Sequence, residues 1–179
     1  LLLVSFVFLI SYLSLYGYET DRFNNIIKTE IKKNEKNIDL DFKKISILLD
    51  IKKLTLFIKF IDPEVEYQSA KIPLDTLRAN IDLVSTLKKE VGIKKIIVET
   101  KYLNLDSIKL VANKLKLDQF NQSSLNKIKK SKVKINSEFT FDKNYKLTDD
   151  FVLNGIVKDT EFIHNNHKIS ELNFRFSYF

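Results

Sequence analysis

Few residues of this chain could do chemistry. Its two histidines, His164 and His167, stand in an H-x-x-H spacing at a turn, with Glu161 and Glu171 the nearest acids. A metal site needs a third ligand held in fixed geometry. None accompanies the pair, so it reads as two exposed loop histidines. Asp39 and Asp41 share one face of a strand, where alternate carboxylates are expected from patterning alone. No P-loop, no G-x-G-x-x-G and no G-x-S-x-G is present, and three glycines in the whole chain leave little with which to cradle a phosphate. The absence of cysteine removes disulfides and thiolate metal sites. The sequence therefore predicts no catalytic residue, no metal and no cofactor, and does not read as an enzyme.

Thirty Lys and Arg against 23 Asp and Glu give a net charge of +7. That balance invites a nucleic-acid reading, but the distribution opposes it. Lysines alternate with apolar residues (Lys132, Lys134) or mix with acids (Lys28, Glu30, Lys32), and no basic stripe is interleaved with stacking aromatics. A solvated polar face is the expectation, with attraction to anionic lipid headgroups at roughly 1 kcal/mol per well-placed lysine. Nucleic acid is not an expected partner.

The elements that would position any site begin with Leu1 to Tyr18 (LLLVSFVFLISYLSLYGY), which carries no charge. At ~1.5 Å per residue such a helix reaches about 27 Å, slightly short of the ~30 Å bilayer core. The chain contains no Met, and residues 1–18 read as a transmembrane anchor truncated at its start. Tyr12, Tyr16 and Tyr18 are candidate membrane-interface residues, because the tyrosine ring is apolar and its hydroxyl wet. A cleaved signal peptide and a buried helix of a soluble domain are the alternatives. The bulky exit Leu15-Tyr16-Gly17-Tyr18 lacks the small residues of a cleavage site. Orientation in the membrane is not decided by the sequence.

Residues 19–37 read as an amphipathic helix and linker, with a Thr20-Asp21 cap and Phe23, Ile26, Ile27 and Ile31 at helical spacing. From Ile38 the period becomes twofold. Ile38, Leu40 and Phe42 alternate in one phase and Ile45, Ile47, Leu49 and Ile51 in the other, which predicts a β-bulge at Lys43-Lys44. Strands follow through Leu54 to Phe60, Val65 to Ile72 ending at Pro73, Leu77 to Leu83, and Ile96 to Tyr102. Val84 to Glu90 reads as one or two helical turns. A helical insertion is expected over 106–130, capped by Asp106 or Ser107, with a second short helix from Ser123 to Lys130. Strands then resume through Val133 to Phe141, a turn at Asp142 to Asn144, Phe151 to His164, a turn at Asn165-Asn166, and Leu172 to Tyr178. The open alternation of Ile169 to Phe179 reads as a strand of a domain that continues further.

The fold class expected is mainly β with minor α: an N-terminal transmembrane helix, a short amphipathic helix, then a curved, groove-like antiparallel sheet with a small helical insertion. Residues 38–179 form the start of that elongated groove. Alternating antiparallel strands have one oily face and one wet face, and few helices are expected to cover the oily one. Phase nominates as groove-facing Leu54, Leu56, Ile58, Phe60, Leu77, Ala79, Ile81, Leu83, Val133, Ile135, Phe139, Phe141, Leu172, Phe174 and Phe176. Packing of the same residues as an ordinary core is the competing reading.

The order of features resembles the amino-terminal region of the AsmA-like family of bacterial envelope proteins. The resemblance rests on the uncharged Leu3 to Tyr16, the amphipathic FNNIIKTEI, the strands of NIDLDFKKISILLDIKKLTLFI, the proline-punctuated KIPLDTLRANIDLVSTLKKEVGIKKIIVETKYLNL, and the repeating strands beyond. It implies a single-pass protein of the bacterial inner membrane with its body in the periplasm, similar to bridge-like lipid-transfer proteins. The implied activity is inter-membrane phospholipid transport and outer-membrane assembly, with acyl chains held in an apolar groove and other envelope proteins as possible partners. The alternative from another class is an anchored scaffold or adhesion β-domain that binds a protein.

Overall fold

The computed structural model describes residues 2–34, 36–52, 55–82, 92–114, 127–142, 146–164 and 167–178. Along the described residues the order is α1 (Leu2–Leu15), β1 (Tyr18–Thr20), α2 (Asn24–Asn34), β2 (Ile38–Asp41), β3 (Lys44–Asp50), β4 (Thr55–Ile61), β5 (Glu64–Tyr67) and β6 (Ala70–Asp82). Then come β7 (Gly92–Thr100), β8 (Leu103–Asn104), α3 (Leu105–Lys114), β9 (Ile128–Phe141), β10 (Leu147–His164) and β11 (His167–Tyr178). The chain is mainly β, and its strands form one open antiparallel sheet in the order β1-β3-β4-β6-β7-β9-β10-β11. On its flank β2 pairs with β5, β5 with the start of β6, and β8 with β9.

The helix at the amino terminus is shorter than the sequence suggests. α1 has 14 residues, about 21 Å at 1.5 Å per residue, and no helix of the described residues is long and apolar enough to cross a membrane. It stops because Gly17 takes a left-handed φ of 75°, a conformation glycine adopts without a Cβ clash, and Gly17 N–H donates back to the Tyr12 carbonyl at 3.2 Å. The chain then turns directly into the sheet. Tyr18 begins β1 and lies opposite Ile47 of β3. Glu19 and Thr20, expected in the linker, are sheet residues.

Four further corrections follow from where backbone groups find partners. The phase change at Lys43-Lys44 is not a bulge within one strand, because β2 pairs with β5 while β3 pairs with β4. The chain there leaves one partner for another. Pro73 does not end a strand: β6 runs through it for 13 residues, pairing with β5 up to Pro73 and with β7 from Leu74. Pro73 sits at the junction where the partner changes, its carbonyl still accepting from Lys101 N–H at 2.9 Å while the ladder forgoes the donor that proline lacks. α3 is capped by Asn104, whose Oδ1 accepts from Ser107 N–H at 2.8 Å, rather than by Asp106 or Ser107. Strand β9 resumes already at Ile128, inside the span expected to be helical. The turns expected over Val84 to Glu90 and the start of the second short helix at Ser123 lie outside the described residues.

α2 begins at Asn24, after a turn in which Arg22 N–H donates to Thr20 Oγ1 at 3.2 Å and Asn24 N–H to the Asp21 carbonyl at 2.9 Å. Ile27 and Ile31 pack on a core of Leu40, Phe42, Ile45, Phe60, Leu74 and Leu77. Phe42 and Phe60 meet edge-on, with ring centroids 4.9 Å apart. Phe23 and Ile26, expected on the same helix face, point to solvent.

Candidate functional site: a continuous apolar sheet face

Register decides which alternating residues share a face, since directly opposed residues of an antiparallel pair lie on the same side. One row crosses six strands as Ile47, Ile58, Ala79, Ile96, Phe139 and Phe151. The row beside it on one side carries Leu49, Leu56, Ile81 and Ile93. On the other, Leu77, Val98, Ser137, Leu153 and Tyr178 are successively opposed. Beyond these lie Ile135, Gly155 and Phe176, then Val133, Val157 and Phe174. Every described groove candidate of the sequence analysis therefore falls on one face: Leu56, Ile58, Phe60, Leu77, Ala79, Ile81, Val133, Ile135, Phe139, Phe141, Leu172, Phe174 and Phe176. Leu54 and Leu83 lie outside the described residues.

Covering is uneven along that face. Ile45 is 1% exposed, Phe60 8% and Leu77 9%, where α2 and β2 pack. On the middle strands the face is mostly half-buried, with Ile81, Ser137 and Val157 buried. On β11 every residue from His167 to Tyr178 is exposed, and Phe174 reaches 52%. Ile96, Val98, Phe151, Leu153 and Val157 belong to the face but were not among the sequence candidates. Their alternation was visible, but their phase relative to neighbouring strands needed the register.

Two local devices shape the β9–β11 part. A side chain on Gly155 would put its Cβ 2.1 Å from the Phe176 ring, so the ring occupies the space that the glycine leaves and closes the gap between β10 and β11. Asp159, at a left-handed φ of 54°, forms a bulge against both β9 and β11. Its N–H donates to Asn173 Oδ1 at 3.2 Å. The extra residue keeps Thr160 on the side of Val157, where Thr160 and Ser131 share a buried hydroxyl hydrogen bond of 3.0 Å.

The opposite face is charged and largely self-paired. Lys134 bridges Asp75 at 2.7 Å and Glu99 at 2.8 Å, and its hydrogen bonds to these two carboxylates hold its ammonium above the ordinary lysine pKa. Lys95 meets Glu138 at 2.7 Å and Lys132 meets Asp159 at 2.9 Å. These pairs account for lysines whose alternation made the sequence basic.

Tyr12 on α1 and Tyr16 just beyond its end have ring centroids 5.7 Å apart, and both are exposed together with Leu3, Phe6, Phe8 and Leu15. His167 is exposed and closes the β10–β11 hairpin opposite His164. Among the described residues no cluster of three or more histidine or acidic side chains is placed to hold a metal ion. The fold and the site thus define a mainly β protein with one open antiparallel sheet and a continuous apolar face. No family model, no curated protein and no solved structure matches the chain.

Proposed function

We propose that this chain is a membrane-anchored envelope protein of AsmA-like type, seated in the bacterial inner membrane with its body in the periplasm, whose apolar sheet face holds phospholipid acyl chains. The observation that carries the reading is the single apolar face shared by β3, β4, β6, β7, β9, β10 and β11, buried toward α2 and at Ile81 and Val157 but exposed along the whole of β11. Acyl chains laid on it would gain about 0.8 kcal/mol per buried methylene, with the headgroup left in solvent. No bond is made or broken, so transfer is partitioning along the face, in the service of inter-membrane lipid transport and outer-membrane assembly.

The membrane part of the reading rests on α1. It is apolar all round, with Leu3 77%, Phe8 75% and Leu15 74% exposed, and a helix without a polar side is at home in protein core or hydrocarbon. The reading takes α1 as the lipid-embedded end of the anchor.

A photo-crosslinking amino acid placed at Phe139 or Phe174 should capture phospholipid in a bacterial host, detected as a mass adduct, while the same group at Glu138 or Arg175 on the charged face should not. Equal capture on both faces, or no lipid adduct at Phe139 and Phe174, would refute the groove. One observation favours a second reading, a scaffold or adhesion β-domain: among the described residues β11 lies at the end of the sheet, paired with β10 alone and exposed along its length, as a strand-adding protein partner requires. Protein adducts in place of lipid at Phe174 would favour it.

A further inference from the structure

Most cations of the charged face have a carboxylate beside them, but one pair of directly opposed cations does not. Lys59 of β4 lies opposite Arg78 of β6. Like charges in such a cross-strand pair destabilise a sheet unless an anion sits between or above them. Among the described residues neither forms an ion pair, and Arg78 Nε is buried without a hydrogen-bond partner. The Arg78 guanidinium is instead laid over the Phe57 ring at 5.1 Å, which fixes its plane while leaving N–H groups to spare. Lys52, at the β3–β4 turn, brings a third cation to the same cavity of about 560 Å³, against one carboxylate, that of Asp50.

The position of this cavity narrows what the anion is. Ser14, on the last turn of α1, lines it, and Gly17 seats the end of α1 on Ser46 and Leu48 of the same sheet face, where a Cβ would already touch both at 3.0 Å. A helix that is apolar all round and exposed over most of its length therefore ends beside a cluster of three cations with one acid. Hydrocarbon followed within one helical turn by positive charge is the complement of an anionic lipid monolayer. Arginine with lysine suits a phosphate, the guanidinium by its planar fork and the ammonium as a point charge.

We propose that the cavity formed by Lys52, Lys59 and Arg78 at the foot of α1 binds the phosphate of an anionic phospholipid headgroup, fixing how the sheet stands on the membrane. The inference rests on the reading of α1 as lipid-embedded. It adds a headgroup site on the charged face, separate from the acyl-binding face on the other side of the sheet.

The test is vesicle flotation of the full chain with phosphatidylcholine alone and with added phosphatidylglycerol. The wild type should prefer the phosphatidylglycerol vesicles. Replacing Lys52, Lys59 and Arg78 with Gln should weaken binding to them by about fivefold per charge, on the order of a hundredfold together, and leave binding to phosphatidylcholine unchanged. Since Arg78 is half-buried, the exposed pair Lys52→Gln with Lys59→Gln guards against a folding defect and should show about a twenty-fivefold loss. Removing equal charge elsewhere, by Lys127→Gln, Lys129→Gln and Lys130→Gln, should preserve the preference. An equal loss in that control would overturn the site in favour of net charge. Competition by inorganic phosphate beyond that of sodium chloride at the same ionic strength would overturn the commitment to lipid. Equal wild-type binding to both vesicles would overturn the headgroup site alone, whereas binding to neither would overturn the membrane reading of α1 as well.

Discussion

The two ends of the apolar face have the same sequence pattern and opposite fates. Toward β2 and β3, alternating Ile and Phe residues are sealed: Ile45 is 1% exposed, and α2 contributes Ile27 and Ile31 to its cover. Toward β11 the same alternation leaves Leu172 at 39%, Phe174 at 52% and Tyr178 at 60%. Strand chemistry is alike at both ends. What differs is whether another element lies on the face, and that separates residues that stabilise the protein from residues available to a ligand.

The largest expected effect breaks or keeps this division. Ile45→Ala removes a fully packed side chain and should cost about 2–5 kcal/mol in chemical denaturation. Phe174→Ala, half exposed, should cost less than about 1 kcal/mol while reducing captured lipid. Similar losses of stability at the two positions would mean that the face is one ordinary core.

Gly155→Ala probes the open end from inside. Its Cβ would collide with the Phe176 ring, so β11 should loosen at a cost of about 1–3 kcal/mol, read as faster amide exchange along β11 than in β3. Adding Phe176→Ala should recover part of that loss, because the colliding ring is gone. Two additive losses would show that the ring does not occupy the glycine's space.

A smaller effect belongs to the sealed side. Gly17→Ala places an L-residue at φ 75° and should cost about 1–2 kcal/mol, with the loss confined to α1 and β1. Loosened exchange in β10 and β11 as well would show that the two ends are mechanically coupled.

The smallest effect is the pH response, and it should be similar at both ends. The Asp41 carboxyl is held below the ordinary aspartate pKa by its hydrogen bond from Lys28, and Asp159 likewise by Lys132. A folded-state pKa below the unfolded one contributes stability that is complete above the ordinary aspartate value and lost as pH falls through the depressed one. Both pairs are solvent-exposed, so the contribution is small. Denaturation midpoints of Asp41→Asn and Asp159→Asn should fall slightly below wild type near neutral pH and converge with it in acid. A midpoint difference that persists in acid would assign the effect to packing.

Particular elements show how far the sequence could be read. The hairpins β3–β4 and β10–β11 were legible because alternation of period two and a turn between suffice to define them. Within each strand, phase alone put Leu56 with Ile58 and Phe174 with Phe176 on a common side. The division of β2 from β3 was misread as a bulge, because a phase change looks the same whether an extra residue is inserted or the chain changes partner. Pro73 was read as an end because a single strand cannot reveal that its neighbour changes at that residue. Gly17 was visible as a glycine, but only its φ and its contact with Ser46 and Leu48 make it the point where helix becomes sheet.

By itself, then, the sequence determined which residues alternate, that the elements are mainly strands, and that one side of those strands is apolar. These are local properties, fixed by side-chain period along the chain. The tertiary structure alone decided that the alternating stripes join into one face, that α2 seals one end and leaves the other open, and that Lys59 and Arg78 stand opposed beside the foot of α1. Those facts depend on register and strand order, and residues distant in sequence become neighbours only when backbone hydrogen bonds select their partners.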